Sequence, residues 1–395
     1  LVKKGFFHIF SASLINKIVS FGISIVLVRV LSKELFGRWA YANNILSFFL
    51  LLEGLGVVSG LLQFASAAKT KEEKASYLKL AMTIGLIFNS ILSLIIFSFS
   101  FIFELPVKGS IEILRWLSFV PLGSIIFGIF QVFLRTEFRN KAFSFVSTFN
   151  TITFFFGVLL GGILFEINGI IIGKYLSFII SSIIAFSLLR DYKSYRSVKL
   201  PSKKEIKEFF SFSLVAVFNN TMSSMLYLLD TFLVGIIIQS GTVVASYKTA
   251  TLIPFALNFI PSAVMTFAYP YFAQNHLNKQ FVKRYFLKIQ KYLFILNLII
   301  SIIMILFAPF IISIVFGDEY SDSILPFRIL SFGFFIAATF RIPAGNVLAS
   351  IKKIKVNFYN TFISGTLNII LDIFFIKQFG SVGAAIATVL VFVIS

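Results

Sequence analysis

The sequence predicts an all-α membrane protein of about twelve transmembrane helices, arranged as two six-helix lobes. Three observations carry this reading. First, most of the chain is made of apolar runs about a membrane thickness long, such as 145–164, 206–238 and 292–316. About 20 residues at 1.5 Å rise cross a hydrocarbon core of roughly 30 Å. Second, 58% of residues are hydrophobic and 13% charged, whereas soluble domains sit nearer 45–50% and about 25%. Third, the basic residues fall on alternate loops. The runs are continuously apolar, which excludes a β-barrel with its alternating strands and leaves the helix as the only way to satisfy the backbone in lipid.

Taken in order, the expected spans are 9–31, 39–64, 77–103, 113–135, 143–165, 169–190, 209–238, 244–272, 285–316, 325–350, 355–377 and 380–395. Lys3 and Lys4 before the first run resemble a signal peptide. With no small-residue cleavage site and many spans to follow, the run reads as a retained helix. The last span is short, the first residue is Leu1, and the expectation is a truncated C-terminus. The longest polar interruption carries seven basic residues between Arg190 and Lys207, plus Pro201. It divides the chain into an N-terminal lobe at 1–190, a cytoplasmic basic linker at 191–207 and a C-terminal lobe at 208–395. Weak internal matches, 36–45 with 244–253 and 169–173 with 380–383, share an offset of about 210 residues. Such an offset fits parallel repeats of the kind transporters use.

The formal net charge is +19. Assigning loops alternately to two sides gives 24 of the 35 basic residues to one side and nine to the other, with Lys17 and Arg341 inside spans. Lys174 and Lys248 are counted with the nine. This is the positive-inside pattern. It places the N-terminus in the cytoplasm, makes the protein a multi-pass inner (cytoplasmic) membrane protein, and accounts for the charge through lipid head groups without nucleic acid. There is no cysteine, and His8 and His276 are the only histidines. No metal site or other cofactor is expected.

Several segments resemble a known family. Arg29-Val-Leu-Ser-Lys-Glu-Leu-Phe-Gly-Arg-Trp-Ala-Tyr41 is similar to the region after the first helix of polysaccharide (O-antigen-type) flippases of the multidrug/oligosaccharidyl-lipid/polysaccharide exporter superfamily. Asp230-Thr-Phe-Leu-Val-Gly235 with Ala245-Ser-Tyr-Lys-Thr-Ala250 is similar to that family's seventh-to-eighth helix connection. Phe316-Gly-Asp-Glu-Tyr320 with Leu325-Pro-Phe-Arg-Ile-Leu330, and Asn368-Ile-Ile-Leu371 with Gly380-Ser-Val-Gly-Ala-Ala-Ile-Ala-Thr388, resemble its later connections. The resemblance covers essentially the whole chain. It implies a MATE-like fold and a flippase. The substrate would be an oligosaccharide repeat unit on polyprenyl pyrophosphate, carried from the cytoplasmic to the outer leaflet. A coupling ion, H+ or Na+, and a polysaccharide polymerase partner belong to the same expectation.

Polar residues within spans are candidates for the lumen such a protein needs. Lys17, Ser20 and Ser24 share one face of the first span. Asn220, Ser224 and Asp230 lie on the seventh and Asn258 on the eighth, with Pro254 and Pro261 as kink points. Glu53 lies mid-way in the second span and Arg341 within the tenth. Lys17 and Arg341 are the two basic residues read as lying well inside spans, one per lobe, so both could face a diphosphate. Competing readings are helix-packing serines, a snorkelling Lys17, a structural Glu53–Arg341 pair, and an interfacial Asp372 near the end of its span. No G-x-x-x-x-G-K-[ST] loop for ATP occurs. The acidic trio Asp318, Glu319 and Asp322 is the sole trace of an enzyme. The alternatives to an oligosaccharide flippase are a cation-coupled multidrug antiporter, a peptidoglycan-precursor flippase and, distantly, a membrane glycosyltransferase or polymerase.

Overall fold

The computed structural model describes residues 6–195 and 198–395. Of the basic residues counted above, Lys3, Lys4 and Arg196 lie outside them, as does the side chain of Lys193. The elements are helices throughout: α1 (Phe6–Val30), α2 (Lys33–Leu50), α3 (Val57–Ala67), α4 (Lys71–Ile102), α5 (Ser110–Leu117), α6 (Val120–Thr136), α7 (Asn140–Leu188), α8 (Lys203–Ile238), α9 (Gly241–Ala256), α10 (Phe259–Gln274), α11 (Lys279–Leu306), α12 (Ala308–Val315), α13 (Ile324–Ile336), α14 (Ile342–Ser350) and α15 (Ile354–Ile394).

Among the described residues, eight helical stretches are long and apolar enough to cross a membrane, or nine counting the bent pair α5–α6. Two of the eight fold back on themselves, which carries the fold towards the expected twelve. α7 runs 49 residues, but Phe165 and Glu166 leave helical geometry at φ −137° and +49°. A Cβ on Gly157 would lie 2.7 Å from the Gly173 backbone, and one on Gly161 2.5 Å from Gly169. Two G-x-x-x-G faces therefore press together across a reversal, since only small residues let membrane helices approach so closely. α15 reverses likewise at Gly380 (φ +58°). There Gly383 sits against the Phe375 carbonyl, with no room for a Cβ.

Some helix starts carry side-chain caps. Thr70 and Glu73 form a reciprocal capping box at α4, and Ser202 and Glu205 do the same at α8.

The chain forms two compact units. Unit 1 comprises 1–32 and 42–228, and unit 2 comprises 33–41 and 229–395. The division runs through α2 and α8. The core of unit 1 gathers Val57, Leu61, Leu80, Ile125, Ile129, Phe133 and Phe209, all buried. In unit 2 a smaller cluster joins Met265, Ala268, Phe272 and Val347. The first turns of α2 are fixed within unit 2. Lys33 Nζ donates to Asp322 Oδ1 and to the Glu319 carbonyl, each at 2.7 Å, and Gly37 abuts the Gly241 carbonyl so closely that no Cβ fits. The acidic trio of the sequence is thus dispersed. Asp322 also accepts from the Ser246 hydroxyl at 2.7 Å, and Asp318 accepts from Ser313.

Candidate functional site

In unit 2 the last turns of α8, the middle of α9 and both arms of α15 bring polar side chains together. Asp230 lies on α8, Tyr247 on α9, and Asn368, Asp372 and Thr388 on α15. Each is no more than 5% exposed. Tyr247 donates its hydroxyl to Asp230 Oδ2 at 2.8 Å. The Thr388 hydroxyl lies 2.7 Å from the same oxygen and 3.0 Å from the Ala384 carbonyl, either of which accepts it. Asp372 faces Asp230 at hydrogen-bonding range. Asp230 Oδ1 and both carboxylate oxygens of Asp372 have no other partner.

Two buried carboxylates face to face cannot both remain ionised without compensation. A cation between them, or the Lys248 ammonium within electrostatic range of Asp230, would supply that compensation. Every nearby donor atom is a hard oxygen, which suits a group I or II cation over a soft metal. Asp230, Asp372 and Thr388, with Asn368 one turn before Asp372, are the residues that would hold it. Among the described residues there is no cluster of three or more His, Cys, Asp and Glu side chains. Lys248 follows Tyr247 and lies within electrostatic range of Asp230.

Two further sequence candidates sit elsewhere in unit 2. Asn258 lies in the break between α9 and α10, flanked by Pro254 and Pro261. Its backbone carbonyl accepts from the Ser262 hydroxyl at 2.8 Å, and its Oδ1 has no partner. Arg341 ends a single π-turn, Ala337–Arg341. Pro343 lacks an N–H and prevents a regular α-helical step there. Its guanidinium lies 5.3 Å over the Phe392 ring.

Unit 1 is built differently. The α-helix of the second span ends at Leu50, and just past Glu53 the chain turns left-handed, with Gly54, Leu55 and Gly56 at φ values of +56°, +50° and +79°. Breaking a helix inside a membrane frees backbone groups that lipid cannot satisfy. Asn89 on α4 meets this need: its Oδ1 accepts from the Gly54 N–H, and its Nδ2 donates to the Pro121 carbonyl, both at 2.9 Å. Thr221 on α8 donates to the Leu51 carbonyl at 2.9 Å. Ser124 hydrogen-bonds the Glu53 carboxylate, whose Oε1 has no partner. Beside the break, Ser47, Leu50, Leu51, Ser224 and Leu228 line an open cavity of about 350 Å³.

The other candidates of unit 1 are less gathered. Lys17 and Ser20 are exposed on α1, and Asn220 is exposed on α8. Ser24 donates its hydroxyl to the Ser20 carbonyl at 3.2 Å, a bond within its own helix. Ser223 and Tyr227, neighbours of Ser224 on that face, have side chains outside the described residues.

Three readings are corrected by these positions. Asp372, read as interfacial, is fully buried within the protein, and α15 continues for two more turns before reversing at Gly380. Lys174 and Lys248 are not loop residues. Lys174 lies two turns past the α7 reversal, half-buried, and donates to Asn43 Oδ1 at 3.1 Å. Lys248 lies two turns into α9. Lys17 and Arg341 are therefore not the only basic residues well inside spans. The signal for Lys174 was available, since it follows apolar Gly169–Gly173 within the same predicted span.

A family model described as polysaccharide biosynthesis protein matches residues 2–276. Among solved structures, the lipid II flippase MurJ in an inward closed conformation superposes with a TM-score of 0.78 at 16% identity, over 98% of this chain and 85% of that one. An inward-facing multidrug resistance MATE family transporter of the MOP superfamily gives 0.76 at 14%, over 96% and 92%. A MOP superfamily transporter from Pyrococcus furiosus gives 0.65 at 14%, over 98% and 92%. No curated protein matches.

Proposed function

Because the chain belongs to the polysaccharide biosynthesis protein family, we propose that it is a flippase for polyprenyl-pyrophosphate-linked oligosaccharide repeat units. In this reading it carries them from the cytoplasmic to the outer leaflet of the inner membrane for surface polysaccharide synthesis. The N-terminus is cytoplasmic, and lobes 1–190 and 208–395, joined by the basic linker 191–207, alternate access to the substrate. The protein acts as a transporter rather than an enzyme.

The observation that supports an active carrier is the facing pair Asp230 and Asp372, buried with three unpartnered carboxylate oxygens. Ionisable groups kept in a membrane interior are retained for transport or coupling. With no ATP-binding loop in the chain, free energy must come from an ion gradient, the membrane potential or consumption of the product. The pair would take up the coupling ion, a proton or Na+. Lys17, Lys174 and Arg341 would serve the diphosphate, where cationic groups replace water lost on entry. Arg341 adds a planar fork that a lysine does not copy.

Complementation of a strain lacking its own oligosaccharide flippase tests this, with surface glycan read by gel and protein by immunoblot. Wild type should restore glycan. Arg341→Ala should abolish it at normal protein level, Arg341→Lys should restore it in part, Lys17→Ala should weaken it, and Lys199→Ala should be silent. Rescue of lipid II export alone would assign the chain to peptidoglycan precursors. Altered resistance to toxic cations with unchanged glycan would make it a drug exporter.

A further inference from the structure

The basic residues of this chain are not all placed alike. At the start of α4, Lys69, Lys71, Lys74 and Lys79 are accompanied by Glu72 and Glu73. Lys74 also pairs with Glu137 at 2.7 Å. Arg139, just before α7, pairs with Asp191, just past its end, at 2.5 Å. That bond and the guanidinium charge hold the Asp191 carboxyl below the usual carboxylate range. At the start of α8, the Ser202 hydroxyl and backbone hold Glu205 below its usual range.

α11 differs. Lys279, Lys283, Arg284, Lys288 and Lys291 fall within its first 13 residues, and every one is exposed. No acidic residue occurs between Asp230 and Asp318, and no ion pair among the described residues engages the five. The positive-inside pattern accounts for basic residues at this place but not for the lack of any acid beside them.

The helix is also divided by face. At 100° per residue, Val282, Phe286, Ile289 and Leu293 fall on one arc. Val282, Phe286 and Ile289 pack against Met265, Ala268, Phe272 and Val347. That docking turns the five cations outward over about 19 Å of helix, 13 residues at 1.5 Å each. Interleaved with them are Tyr285, Leu287 and Tyr292, 43%, 50% and 64% exposed. Tyrosines of this kind belong at the level where head groups meet acyl chains. From Tyr292 to Leu306 the helix carries no charge and is mostly apolar, so the basic face ends where hydrocarbon begins.

We propose that the first turns of α11 are a binding face for the phosphate head groups of anionic phospholipids, with Lys283, Arg284 and Lys288 at its centre. Clustered Lys and Arg immediately beside a transmembrane helix attract anionic head groups. Here the absence of acids leaves the attraction uncompensated, and the exposed Tyr and Leu side chains suit a lipid better than a soluble anion.

The test uses the purified full chain in a neutral detergent, with thermal unfolding followed as dioleoylphosphatidylglycerol or dioleoylphosphatidylcholine is added. Phosphatidylglycerol should raise Tm saturably, and phosphatidylcholine should not. The triple variant Lys283→Gln, Arg284→Gln, Lys288→Gln should need at least about tenfold more phosphatidylglycerol for half the shift. A control triple, Lys199→Gln, Lys203→Gln, Lys204→Gln, should change it by no more than about twofold. If the α11 triple variant does not fold, Lys283→Gln and Lys288→Gln are measured singly, each expected to weaken binding about fivefold. Equal shifts with both lipids would overturn the proposal, as would unchanged phosphatidylglycerol binding by the α11 variants. So would displacement of phosphatidylglycerol by equimolar inorganic pyrophosphate, which would mark a site for soluble anions.

Discussion

Unit 2 holds Asp230 and Asp372 on regular helical turns, face to face, fixed by Tyr247 and Thr388. Unit 1 holds Glu53 just past the end of α2, with Ser124 as its partner and three left-handed residues after it. In the first case the polarity of the membrane interior comes from side chains on an intact scaffold. In the second it comes from the backbone itself, and a single asparagine compensates for it. A paired carboxylate site can bind and release a small cation without rearranging its helices. A broken span with its own hydrogen-bonding partner is instead a place where geometry is set. The two kinds of site should therefore fail differently when damaged.

Asp372→Asn should give the largest effect. Surface glycan should fall more than tenfold in the complementation assay, with protein level unchanged, because in the proposed carrier an amide would not join Asp230 in taking up the coupling ion. Glu53→Gln should leave at least half of wild-type glycan. Equal loss from both would remove the contrast and make Glu53 an ion-linked acid too.

Next in size is Gly56→Ala. Its Cβ would lie 2.2 Å from the Ser213 carbonyl at a φ of +79°, so backbone strain and overpacking combine, at about 3 kcal/mol or more. Thermal unfolding in detergent measures it, and a Tm within one degree of wild type would deny that this geometry is fixed. Asn89→Ala should follow, at about 2 kcal/mol, because it leaves the Gly54 N–H unpaired. If Asn89→Ala unfolds like wild type, the break is satisfied by other means.

The smallest effect belongs to Arg139→Gln. Asp191 is held below its usual range by Arg139, so the pair stabilises above the unfolded carboxyl pKa of about 3.9 and loses this as pH falls through the lower folded value. A small Tm gap between wild type and variant at pH 7 should close below about pH 4. A gap that widens in acid would contradict the assignment.

Much of the fold was legible because lipid allows so few solutions. Apolar runs near twenty residues become helices, whereas the seam of Gly157, Gly161, Gly169 and Gly173 emerged only from the packing of the two arms of α7. Asp230 was also legible, as an acid inside an apolar run. The rest depended on tertiary geometry. Gly54-Leu55-Gly56 reads as an unremarkable stretch because glycine is common in membrane helices, and only the packing against Asn89 and Ser213 turns it into a break. Asp372 lies near the end of its run in sequence, so its burial could not be read until the reversal at Gly380 was placed. Lys174 and Lys248 were assigned to loops for the same reason: counting charges by side of the membrane does not register how many turns a helix has already made.

The reversal in α7 bears on how the chain enters the membrane. Only Phe165 and Glu166 depart from helical geometry between two apolar arms, and Glu166 is the only charged residue among 142–173. A nascent chain delivering this segment has almost nothing polar to push across the bilayer, so the arms can partition into lipid together as a preformed hairpin. Synthesis halted after Leu164 would leave one glycine face without its mate. Insertion of the first arm, scored by protease protection of nascent chains ending at 164 and at 188, should be markedly less efficient for the shorter chain.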